Sequence, residues 1–138
     1  MKTSTLIDTN ILIDVWGSPR PWTAWSRDAL VRCRMDGVLL INAIVWSEIA
    51  PSLDSRLLAA YVDELDIDRV NLPFEAAYEA GLAHARYRRA GGACERTLPD
   101  FLIGAHASHE GHRLLTRDSG RYSRYFPALE LLSPETFP

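Results

Sequence analysis

A chain of 138 residues, 47% hydrophobic and 24% charged, is long enough to bury one core of its own, with no need of a disulfide or structural metal. It contains no run of about 18 apolar residues and no basic–apolar leader, so a membrane span and a secretion signal are excluded from the reading. The net charge of −3 excludes a uniformly basic coat, yet of the 15 basic residues all but Lys2 are arginines, the side chain better suited to gripping phosphate and stacking on bases.

The apolar run Thr5-Leu6-Ile7 predicts a buried strand. A polar turn, Asp8-Thr9-Asn10, and a short helix from Ile11 ended by Gly17 follow it. Pro21 opens a second helix to about Met35, closed by Asp36-Gly37, and Val38–Ile41 reads as a second buried strand. Short helices are expected from Asn42 to about Pro51 and from Asp54 to Leu65, the latter with Leu57, Leu58, Tyr61 and Leu65 on its apolar face. Ile67–Leu72 predicts a weak strand. Pro73 then suits the first turn of a long helix through Ala90, with Phe74, Ala77, Tyr78, Gly81, Leu82 and Ala85 as its apolar stripe. After Gly91-Gly92, Pro99 opens a helix through about Glu110, stopped by Gly111; Arg113–Thr116 and Leu129–Leu132 are the last two strands. Continuously apolar strands alternating with helices indicate an α/β fold, a parallel sheet covered on both faces. Ligands in such folds bind beyond the carboxyl ends of the strands.

That rule singles out four carboxylates. Asp8 directly follows the first strand, Asp118 follows the Arg113–Thr116 strand, Asp100 starts a helix, and Glu48 interrupts the apolar segment Ile44–Ala50. Each alone is explained as a turn, a cap or a solvated side chain. Together on one rim they repel one another, and a hard divalent cation is what makes such a cluster tolerable. Oxygen-only ligation favours Mg²⁺ or Mn²⁺ over zinc, and such sites are suited to phosphodiester cleavage.

The segments Leu6–Ile13 (L-I-D-T-N-I-L-I), Ser47-Glu48-Ile49, Leu98–Ala107 (L-P-D-F-L-I-G-A-H-A) and Leu115–Asp118 (L-T-R-D) resemble the four signature segments of PIN-domain, VapC-like toxins, in that family's order. The resemblance spans nearly the whole chain as one PIN domain. It implies a three-layer α/β/α sandwich with a five-stranded parallel sheet, a Mg²⁺- or Mn²⁺-dependent endoribonuclease leaving 5′-phosphate and 3′-hydroxyl ends, a VapB-like antitoxin partner and a homodimer. The acidic set carries over to Asp8, Glu48, Asp100 and Asp118, as catalytic and metal-holding residues, with Asn10 and Thr116 in the polar supporting positions. Arg117 and Arg121 flank the site and are expected to bind the RNA backbone, with Tyr122 or Tyr125 stacking on bases.

Other features carry less. Arg86, Arg88 and Arg89 suit a helix C-terminus. His106 and His109 share H-x-x-H spacing, with His112 beyond, but lack further zinc ligands. Trp16, Trp22, Trp25 and Trp46 fill the core or interfaces. Cys33 and Cys94 form no C-x-x-C pair and read as reduced thiols, which fits the cytoplasm. Two rivals remain. A haloacid-dehalogenase phosphatase wants a second Asp where Asn10 stands and a downstream lysine, and Lys2 is the only lysine. A receiver-like or catalytically idle PIN-like domain would use the acidic pocket only to bind metal or a partner.

Overall fold

The chain is seen in a computed structural model that describes residues 3–92 and 97–138; Lys2 and Cys94 lie outside the described residues. Strand β1 (Thr3–Ile7) is followed by helices α1 (Thr9–Trp16) and α2 (Thr23–Asp36), then β2 (Gly37–Ile41), α3 (Ala43–Ile49), α4 (Ser55–Glu64) and β3 (Ile67–Arg69). The second half holds the long α5 (Phe74–Arg89), α6 (Leu98–Glu110), β4 (Arg113–Leu115) and β5 (Leu131–Leu132). The five strands are all parallel, in the order β3-β2-β1-β4-β5.

In the central strand β1, Thr5, Leu6 and Ile7 are wholly buried, as in a parallel strand covered on both faces. The chain runs outward from β1 through β2 to β3, then returns to place β4 on the other side of β1. The β1/β4 boundary is therefore the point at which strand order reverses, the position beyond the strand ends where open α/β sheets bind their ligands.

Three helices differ from expectation, for physical reasons. α2 begins two residues after Pro21, because Thr23 ties the preceding turn down: its hydroxyl accepts from the Arg20 amide at 2.9 Å and donates to the Asp14 carbonyl at 2.9 Å. In α5 the expected apolar stripe faces outward: Phe74 and Tyr78 are 91% and 70% exposed. The buried face carries Ala76, Ala80, Ala83 and Tyr87 instead. Small alanines let α5 lie close against α6, and bulk alone is a poor guide to which face does so. α4 behaves similarly at one position, burying Leu58 and Val62 while Leu57 is exposed.

α6 closes on Gly111, whose φ of 72° is the left-handed conformation that a residue with a Cβ resists. Within α6, Gly104 permits a close approach: a Cβ there would stand 2.6 Å from the Phe126 ring and 3.0 Å from the Tyr122 ring. The segment after β4 can thus fold down onto α6, making Tyr122 and Phe101 the largest fully buried side chains.

Candidate active site at the end of the central strands

Asp8 continues the ladder between β1 and β4, its amide donating to the Leu115 carbonyl at 2.9 Å. Its side chain caps α1, with Oδ1 accepting from the Thr9 amide at 2.7 Å. Oδ2 accepts from the Thr116 hydroxyl and the Tyr122 phenol, each at 2.8 Å, and Asn10 Nδ2 lies 3.3 Å away. Burial pushes the Asp8 carboxyl above the usual aspartate range, and these hydrogen bonds pull against it.

Asp100, in the first turn of α6, is also buried. Burial lifts its carboxyl to about 6; the Arg121 guanidinium pulls it down, while the charges of Asp8 and Glu48 push it up. Asp100 therefore feels the charges of two other expected carboxylates. Glu48, on α3, is exposed but oriented, accepting from the Thr9 hydroxyl at 2.7 Å. Asp118 stands on the loop after β4, its amide donating to the Thr116 hydroxyl at 3.1 Å.

Arg121 joins the remaining pair. Its Nη1 is 3.3 Å from Asp100 Oδ1 and its Nε 3.2 Å from Asp118 Oδ2. Burial disfavours the guanidinium charge, but Asp100, Asp8 and Asp118 together raise its pKa above the usual value. Arg117 turns elsewhere: its Nε pairs at 2.6 Å with Asp14, a fully buried carboxylate on α1 that also accepts from Ser26 at 2.7 Å.

The four acidic residues thus share one rim, connected through Thr9, Thr116 and Arg121. As the side chains stand, no three Asp, Glu, His or Cys among the described residues form a group able to hold a metal ion. The donor set nevertheless suits a hard cation: the four candidate side chains offer only carboxylate oxygens, and a divalent ion would favour the Asp100 charge that burial, Asp8 and Glu48 disfavour.

The family model described as PIN domain matches residues 5–126, a span that contains all four carboxylates. The chain belongs to the PIN-domain family. A solved chain from VapBC2 of Rickettsia felis, bound to a DNA fragment from its promoter, superposes with a TM-score of 0.73 at 16% identity, covering 95% of this chain and 98% of that one. VapBC-1 from nontypeable Haemophilus influenzae gives 0.70 at 14% identity over 95% and 98%. A toxin–antitoxin complex from Klebsiella pneumoniae gives 0.65 at 23% identity over 94% and 97%. At these identities the likeness is one of fold. No curated protein matches the chain.

Two residues of this PIN domain's site, Thr9 and Asp14, escape a reading of the chain alone, and Tyr122 takes a different part from the base stacking expected of it. Thr9 orients Glu48, Asp14 anchors Arg117, and Tyr122 is buried against Asp8 rather than offered to a base. Tyr125 likewise packs on Phe101 and Tyr87. Position gives a signal for Thr9, which adjoins Asp8 at a strand end. Nothing local marks Tyr122, because its burial depends on the distant Gly104. The histidines take separate hydrogen-bond partners, His106 with Asn42, His109 with Glu79 and His112 with Ser4, while the His106 and His112 rings meet edge to face at 5.7 Å.

Proposed function

We propose that this PIN domain is a Mg²⁺- or Mn²⁺-dependent endoribonuclease, the toxin of a toxin–antitoxin pair. The observation that carries the reading is the gathering of Asp8, Glu48, Asp100 and Asp118 on one rim where strand order reverses, linked through Thr9, Thr116 and Arg121. Asp8, Asp100, Asp118 and Glu48 would hold the ion. When bound, the ion supplies water activation and neutralises charge on the scissile phosphate. Thr116 and Tyr122 fix the aim of Asp8, Thr9 fixes that of Glu48, and Asn10 accepts from the Arg117 amide at 3.2 Å to seat the loop carrying Asp118. Cleavage leaves 5′-phosphate and 3′-hydroxyl ends, and Arg121 is the cation nearest the site for the RNA backbone.

The partner surfaces follow from exposed apolar side chains. A groove of about 490 Å³ beside α2 and α4, lined by Val15, Leu30, Val31, Met35 and Leu65, suits an apolar antitoxin segment, and the similar solved chains come from VapBC complexes. The outward face of α5 supports a homodimer: Phe74 lies near one end, Arg88 and Arg89 near the other, and Gly81 between them has open space over it. Antiparallel packing about Gly81 would bring each Phe74 towards an arginine of the other copy. No helix of the described residues is long and apolar enough to cross a membrane; the proposed site of action is the cytoplasm.

One observation favours the idle-domain reading, namely that no three-ligand group is formed as the side chains stand. Incubation of RNA with purified protein separates the two: the nuclease cuts with Mg²⁺ and stops with EDTA, whereas a scaffold leaves RNA intact under both conditions. Growth arrest on expression, relieved by the adjacent reading frame, tests the toxin role.

A further inference from the structure

Arg121 sits where a cation would be expected. One planar guanidinium touches Asp100 from α6 and Asp118 from the loop after β4, so a single side chain spans two of the four carboxylates. It remains charged throughout the range in which proteins fold. These two contacts, at 3.3 and 3.2 Å, are longer than the 2.7–2.9 Å or so of tight charge-assisted bonds, so Arg121 grips these two carboxylates loosely. Arg121 is also 36% exposed and Asp118 55%, which leaves the pair a path outward.

Resting on the metal-site reading above, we propose that Arg121 is a built-in counter-cation that clasps Asp100 and Asp118 before the divalent ion arrives, gives them up to it, and then turns its guanidinium to the RNA phosphate. A single positive charge and a doubly charged ion cannot both use the same carboxylate oxygens at full strength. As the side chains stand, Arg121 occupies an oxygen of Asp100 and an oxygen of Asp118. The exchange couples metal loading to substrate binding. Without the ion the arginine covers the carboxylates, and with the ion it is released beside the place where phosphate must lie. No covalent step is involved.

The test is Mn²⁺ binding by the full chain without RNA, read from the electron paramagnetic resonance of free Mn²⁺. Arg121→Gln removes the competing charge and should bind Mn²⁺ about tenfold more tightly than the parent. Arg121→Lys, which keeps a charge, should stay near the parent. Equal or weaker binding by Arg121→Gln overturns the proposal, since an arginine that merely props the carboxylates would weaken the site when lost. Asp100→Asn separates the two readings: if it binds Mn²⁺ as well as the parent, the metal site itself is misassigned. A second readout needs no variant. On titration with Mg²⁺, the Nε–H resonance of Arg121 in the ¹⁵N-labelled parent should move as the clasp opens, and a resonance that stays still while Mg²⁺ binds overturns the exchange.

Discussion

The phenol of Tyr122 donates to Oδ2 of Asp8 at 2.8 Å, and neither residue is more than 2% exposed. A hydrogen bond this deeply buried both orients the carboxylate and favours its charged form against the cost of burial. Removing the hydroxyl while keeping the ring isolates that contribution. Tyr122→Phe should lower cleavage or metal affinity by about 10-fold, with the fold retained in circular dichroism. Full activity in the variant would show that Tyr122 serves packing alone.

Gly104 supports the same contact from the other side. Gly104→Ala puts a Cβ 2.6 Å from the Phe126 ring and 3.0 Å from Tyr122, so both rings must shift. A loss of about 1–3 kcal/mol in chemical denaturation is expected. Activity at a temperature where the variant remains folded should fall as in Tyr122→Phe, because the phenol is displaced from Asp8.

Asp100 gives the pH dependence a sign. Its carboxyl is raised from 3.8 to about 6, so the folded metal-free protein holds this proton more tightly than the unfolded chain does. Its contribution to stability is therefore present below pH 3.8 and is lost as pH rises through about 6. Metal binding has the opposite trend, since the ion needs the ionised carboxylate: affinity should climb across about pH 6. Tm measured with EDTA should show a fall over this window that Asp100→Asn lacks, and Mn²⁺ affinity should rise over it. A parent and variant with parallel Tm profiles would show that Asp100 titrates normally.

Arg117 is predicted to matter for stability more than for RNA. It neutralises Asp14, which is fully buried, and joins the loop carrying Asp118 to α1. Arg117→Ala leaves that carboxylate uncompensated and should cost about 3 kcal/mol, less whatever solvent reaches the partly exposed arginine. Adding Asp14→Asn should recover part of the loss, a coupling that a double-mutant cycle measures. If Arg117 bound only RNA, stability would be unchanged and the salt dependence of cleavage would become shallower.

The rim was legible because strand ends in an α/β sheet are marked by where apolar runs stop. Asp8 ends one such run, and Asp118 closely follows another. Asp100 follows the proline that opens α6, and the expected turns and caps at Gly17, Asp54 and Gly111 lie at helix boundaries. What stayed hidden depends on distant partners. The inward face of α5 does not follow side-chain bulk, because close packing on α6 rewards Ala76, Ala80 and Ala83 over the bulkier Phe74 and Tyr78. The side-chain directions of Arg117 and Tyr122 are set by Asp14 and Gly104, neither of which is near them in the chain. Local pattern locates a polar residue on an edge; it does not say which neighbour will claim its side chain.

The central claim is that Asp8 and Asp100 serve one hydrolytic site. Cleavage of a defined RNA under single-turnover conditions with Mg²⁺ tests it most directly, comparing the parent with Asp8→Asn and Asp100→Asn, each verified as folded and free of contaminating nuclease. Each variant is predicted to lose about 100-fold or more in rate. Cleavage by either folded variant at the parent rate contradicts the account.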